Sequence, residues 1–119
     1  ATDKIDASDY VKMEYRIDGG SWTNLLAFEN DGTTYNTYFL EDADFDGTGD
    51  VGGTQLTSNA ASFNKSITGT GTSMDIKITI ALDAGDEDAA FDNFEIKGTP
   101  NGTITVSTPS LTGYTYIQN

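Results

Sequence analysis

The most constraining feature of this chain is a strict alternation. Met74, Ile76, Ile78, Ile80 and Leu82 are apolar, and the side chains between them are mostly polar. A period of two is the signature of an extended strand with one buried face; a helix would need apolar residues every three or four positions. The same period appears at Val11, Met13, Tyr15 and Ile17. Asp18-Gly19-Gly20-Ser21 follows, and glycine supplies the positive φ that a tight hairpin turn demands, so Trp22 to Phe28 reads as the return strand. Asn30-Asp31-Gly32 is the next turn, and Thr34 to Leu40 reads as a further β-rich stretch. Ala61 to Ile67 is a weaker strand, Gly69 to Gly71 a turn, and Phe94 and Ile96 continue the alternation in a last strand over Phe91 to Ile96. No segment has helical periodicity. Short strands separated by turn signals predict an all-β, antiparallel jelly-roll-like β-sandwich.

At 119 residues, 36% apolar and 11% aromatic, the chain can bury one domain-sized core. Its organisation predicts a module over residues 1–98. After Lys97-Gly98-Thr99-Pro100 the character shifts, and residues 99–119 read as a linker with the opening strand of a following β module, Thr103 to Ser107 and then Ser110 to Tyr116. Beginning at Ala1 without a signal peptide, the chain reads as processed or as a piece of a longer protein.

A net charge of −13 with only six basic residues argues against nucleic acid and anionic lipid, both of which are held by clustered Lys and Arg. No run approaches the roughly 18 apolar residues that a membrane-spanning helix needs. With no cysteine and no histidine, disulfides, thiolate or imidazole zinc sites and Ser-His-Asp chemistry are excluded. Paired carboxylates are abundant, but nothing singles out one pair for glycoside hydrolysis, so the expectation is a non-catalytic protein.

The functional signal is Glu41-Asp42-Ala43-Asp44-Phe45-Asp46-Gly47-Thr48-Gly49-Asp50. Calcium takes 6 to 8 oxygen ligands at about 2.3 to 2.6 Å from carboxylates, carbonyls and water. With Asp42 as position 1, Asp44 falls at 3, Asp46 at 5, the turn glycine Gly47 at 6, the Thr48 carbonyl at 7 and Asp50 at 9, as in the first nine positions of an EF-hand loop. The match then fails, because Gly53 stands at position 12 where a bidentate Glu belongs and no amphipathic helix flanks the loop. The reading is an interstrand calcium loop with Asp42, Asp44, Asp46, Thr48 and Asp50 as ligands. The alternative is a solvated acidic turn. Asp83 to Asp88 forms a second acidic cluster. Trp22, Tyr35 and Tyr38 are candidates for stacking on sugar rings, against the alternative that they are core or rim aromatics.

Asp83-Ala84-Gly85-Asp86-Glu87-Asp88 followed by Phe91-Asp92-Asn93-Phe94-Glu95-Ile96 resembles the closing strands of jelly-roll modules in large secreted proteins of Bacteroidetes. The hairpin from Tyr10 to Trp22 is similar to an earlier part of such modules, and Thr103 to Tyr116 to the start of the repeats that follow them. The resemblance implies a carbohydrate-binding-like module of a secreted or cell-surface protein, exported in many cases by type 9 secretion. It implies Asp92 as a further calcium ligand, polysaccharide and neighbouring β domains of the same polypeptide as partners, and one or two strands preceding Ala1. A purely structural repeat of an adhesin, filament or exported cargo protein is the alternative function.

Overall fold

The computed structural model describes residues 5–85 and 87–99. Asp86 of the second acidic cluster, Pro100 and the expected strands of the following module lie outside them. The described chain is all-β. Five strands form one antiparallel sheet: β1 (Tyr10–Ile17), β2 (Thr23–Glu29), β3 (Phe39–Glu41), β4 (Gln55–Leu56) and β5 (Met74–Ala81), in the spatial order β4-β3-β2-β1-β5. This architecture is in keeping with a sandwich-like fold.

The β1–β2 turn forms as its residues dictate. Asp18 and Gly19 have φ of 51° and 70°, and Gly20 N–H donates to the Ile17 carbonyl at 2.9 Å. Two successive positive φ values define the turn whose twist matches the flanking strands. Ahead of it the register slips by one residue between Met13 and Glu14, leaving Leu25 as a bulge on β2. The Asp18 carboxylate also accepts from Thr72 N–H at 2.8 Å and Ser73 N–H at 2.9 Å, fixing the entry to β5.

The pairing Val11↔Phe28, Met13↔Leu26, Val11↔Ile80 and Met13↔Ile78 puts the alternating apolar residues on one face. Phe28, Phe39 and Ile5 form the buried centre there, with Val11, Leu26, Leu56, Phe63 and Leu82 packed against it. Residues 57–73, rather than further assigned strands, lie over this face: Phe63 meets Phe28 edge to face with ring centroids 5.0 Å apart, and Lys65 pairs with Glu41.

Three strand expectations need correction. Ala61 to Ile67 is irregular, because it serves as cover rather than as a ladder partner. The stretch Thr34 to Leu40 yields only the start of β3 and an isolated bridge between Asn36 and Ile5. Local bonds hold its first half in a turn, with Thr33 N–H and Oγ1 donating to Asp31 and Asp31 N–H donating to the Asn36 side chain. Phe91 to Ile96 is not a strand either. Asn93 has a φ of 52° and donates its N–H to the neighbouring Asp92 carboxylate at 2.7 Å, which breaks the extended backbone midway.

Candidate metal centre

The acidic loop hangs from the end of β3. Asp42 N–H donates to the Ala27 carbonyl at 2.9 Å, extending the β2–β3 ladder by one rung and bringing the Asp42 side chain beneath the loop. That side chain is only 1% exposed. Its two oxygens accept from Asp46 N–H at 3.2 Å and Gly47 N–H at 3.0 Å, so the chain wraps around it. Asp44 accepts from Asp46 N–H and Asp46 from Thr48 N–H, each two residues on, in the local turns that Asp favours. Gly47 turns at a φ of 93°, as its position in the spacing predicts.

The far side of the loop is pinned by backbone. Gly49 N–H donates to the Asn30 carbonyl at 2.8 Å and Asp50 N–H to the Glu41 carbonyl at 2.9 Å. Gly49 lies so close to the sheet that a Cβ there would stand 2.6 Å from the Glu29 carbonyl oxygen and 2.7 Å from the Leu40 Cβ. Asn30, itself buried, also donates its side-chain amide to the Ile5 carbonyl at 2.8 Å, tying the loop, β2 and the N-terminal segment together.

The result is one carboxylate oxygen each from Asp42, Asp44 and Asp46, all within 4.8 Å of one another. Ligands about 2.4 Å from a shared calcium can be at most about 4.8 Å apart, so the spread fits one coordination sphere. Each carboxylate offers about four lone-pair sites, and the backbone bonds take only one or two of them. The arrangement also carries uncompensated charge: Asp46 pushes the Asp44 carboxyl above its ordinary range. Glu29, at the end of β2, is pushed up first by burial and then by the charges of Asp42 and Asp46, with Lys12 offsetting only part of this. Its Oε2 would lie 3.8 Å from a Cβ at Gly47. Sequence spacing gave no sign of Glu29, since only the β2–β3 pairing brings it to the loop.

The other expected ligands are placed differently. The Asp50 carboxylate turns to the Ala43 N–H at 2.9 Å and closes the loop. Asp92 is exposed and bonded to Asn93, apart from the Asp42 group. Asp83 joins Asp6 and Asp9 in a second group of three, and its N–H and that of Ala84 also donate to the buried Glu87 carboxylate at 3.2 and 2.9 Å. There Asp9, 2% exposed, accepts from Asp6 N–H at 2.7 Å and Asp83 N–H at 3.3 Å, while the Ser8 hydroxyl, with one proton to donate, lies 2.6 Å from an Asp6 oxygen and 2.7 Å from an Asp83 oxygen. The β1–β5 register sets Tyr10 opposite Ala81 and so brings Asp9 beside Asp83, which the spacing within neither segment shows.

The aromatic candidates are not together. Trp22 precedes β2, with the Arg16 guanidinium 4.6 Å and the Lys77 ammonium 4.4 Å from its ring centroid. Tyr35 and Tyr38 are exposed beyond the opposite end of β2. No family model, no curated protein and no solved structure matches this chain.

Proposed function

We propose that this chain is a calcium-stabilised, non-catalytic module of a secreted or cell-surface multidomain protein. The observation that carries the reading is the Asp42, Asp44 and Asp46 group: three carboxylates within one coordination sphere, on a loop bonded to the sheet, with Asp44 raised by its neighbour. A cation there offsets the mutual repulsion of the three carboxylates. Calcium suits the all-oxygen donor set, and the missing twelfth-position Glu and flanking strands favour a structural ion over a sensor. The location outside the cell, the type 9 export route and the neighbouring β domains rest on the resemblance to secreted jelly-roll modules.

Of the two roles open to such a module, spacing in a multidomain array is better supported than polysaccharide recognition. Arg16 and Lys77 already lie against the Trp22 ring, and Tyr35 and Tyr38 stand beyond the other end of β2. Thermal melts in chelator and in millimolar calcium test the ion. At 100 times its dissociation constant calcium adds about 2.7 kcal/mol, a shift of several degrees, and Asp44→Ala with Asp46→Ala removes the gain. Superimposable melts of the unaltered protein would end the calcium reading. A glycan array that returned a hit lost in Trp22→Ala would restore polysaccharide as the ligand.

A further inference from the structure

The two edges of the sheet are unlike. β4 has two residues, whereas β5 has eight, pairs with β1 without a register shift, and contains no proline. Among the described residues, β5 pairs only with β1. Long, regular edges are templates for a further strand unless charge, proline or a bulge blunts them. We propose that the β5 edge is a self-association surface, on which β5 of a second copy pairs antiparallel about a twofold axis at Ile76.

Hydrogen-bond parity and charge select that register. Asp18 N–H donates to the Ser73 carbonyl, so in the Ile17↔Met74 register the odd-numbered residues of β5 turn their backbone groups to β1. The even-numbered residues Met74, Ile76, Ile78 and Ile80 present theirs outward. A twofold at Ile76 pairs Ile76 with its copy and Met74 with Ile78, keeping the apolar faces on one side. It also sets Asp75 directly opposite Lys77 of the second copy, in the closer, non-hydrogen-bonded type of pair. Moving the axis one residue toward Lys77 faces Lys77 with itself, and one residue toward Asp75 faces Asp75 with itself. An axis at Ile78 leaves Asp75 opposite Ala81. Only the Ile76 axis therefore gives opposite charges across the junction.

Within one chain Arg16 pairs with Asp75 at 2.7 Å and Lys77 with Glu14 at 3.1 Å. The dimer extends these into an alternating ladder across four strands, from Arg16 through Asp75 to Lys77 and Glu14 of the second copy. The residues at the junction are the open ones, with Asp75 and Lys77 side chains 52% and 42% exposed and Glu14 only 14%. Association is weak, because an edge-to-edge ladder buries less than the roughly 1,200–2,000 Å² of a standard interface, and because two copies double a net charge of −13. At about 0.15 M salt the distant repulsion is screened while the touching pairs persist.

Sedimentation of the whole chain at that ionic strength, up to millimolar protein, tests the proposal. The expected result is a monomer–dimer equilibrium. Lys77→Glu and Asp75→Lys each place like charges across the junction and weaken dimerisation by about tenfold. Mixed together, these two variants complement each other and recover a heterodimer, which misfolding of either could not produce. Ile78→Pro deletes one outward N–H while sparing the β1 ladder, and it abolishes association with the circular dichroism of the sheet retained. A monomer at every concentration overturns the proposal, as it would if the chain's own C-terminal residues cover the edge. Dimerisation indifferent to all three substitutions, or no recovery on mixing, overturns it too.

Discussion

Two corners of this molecule each gather three aspartates, and in each one carboxylate is shifted, in opposite directions. In the loop after β3, Asp42, Asp44 and Asp46 come from five consecutive residues, and Asp44 is raised by its neighbour. In the corner where the ends of β1 and β5 meet, Asp6, Asp9 and Asp83 are brought together by strand pairing, Asp9 and Asp83 lying 74 residues apart. There Asp6 is held below its usual range by the Ser8 hydroxyl and backbone N–H. Proximity of carboxylates does not by itself specify a cation. The Ser8 hydroxyl and N–H beside Asp6 favour its charged form, whereas the strongest influence on Asp44 is a second carboxylate, Asp46.

The largest effect that would separate the two corners comes from Gly49→Ala. Its Cβ would press on the Glu29 backbone and Leu40, neither of which can swing away, so the loop must leave the sheet. A loss of about 3 kcal/mol or more is expected in a denaturant melt, together with loss of calcium response. Asp9→Ala strikes the other corner. It strips the acceptor from the Asp6 amide at a buried position, while the Asp83 amide keeps the Glu87 carboxylate, for about 1–3 kcal/mol, and leaves the calcium response intact. A calcium response lost in Asp9→Ala would show that the corners are not independent.

Acid should act on them with opposite signs. In chelator, Glu29 and Asp44 have folded pKa values raised above the ordinary 4.5 and 3.8, so their ionisation opposes the fold at neutral pH. That penalty is relieved as pH falls through the raised values, and stability rises. Asp6, Asp18 and Asp31 are lowered from 3.8, so the stability they add is complete above that value and is lost as pH falls through their folded pKa values. Ion-free protein is therefore most stable at mildly acidic pH, measured as the midpoint of urea unfolding. Glu29→Gln with Asp44→Asn flattens the neutral limb of that profile, whereas Asp18→Asn lowers stability only above the acid limb.

Much of this was legible from residues. β1 and β5 follow from period-two alternation, and the β1–β2 turn with its return strand β2 from Asp18-Gly19-Gly20. The loop was legible because its three carboxylates are local, so spacing alone brings them together. The rest depended on what no window of sequence contains. Asp83 and Glu29 reach their partners only through strand register. Phe91 to Ile96 has strand-like ends, but Asp92-Asn93 at its centre prefers its own local bond and leaves Phe91, Phe94 and Ile96 exposed. Trp22 reads as a stacking platform until β1 and β5 deliver Arg16 and Lys77 to its ring.

The contrast between the corners is tested most directly by isothermal titration of chelator-stripped protein with calcium, beside Asp44→Ala/Asp46→Ala and Asp6→Ala/Asp83→Ala. One ion per chain is expected, lost in the first double variant and retained in the second. No binding by the unaltered protein, or binding that survives the first and vanishes in the second, would contradict it.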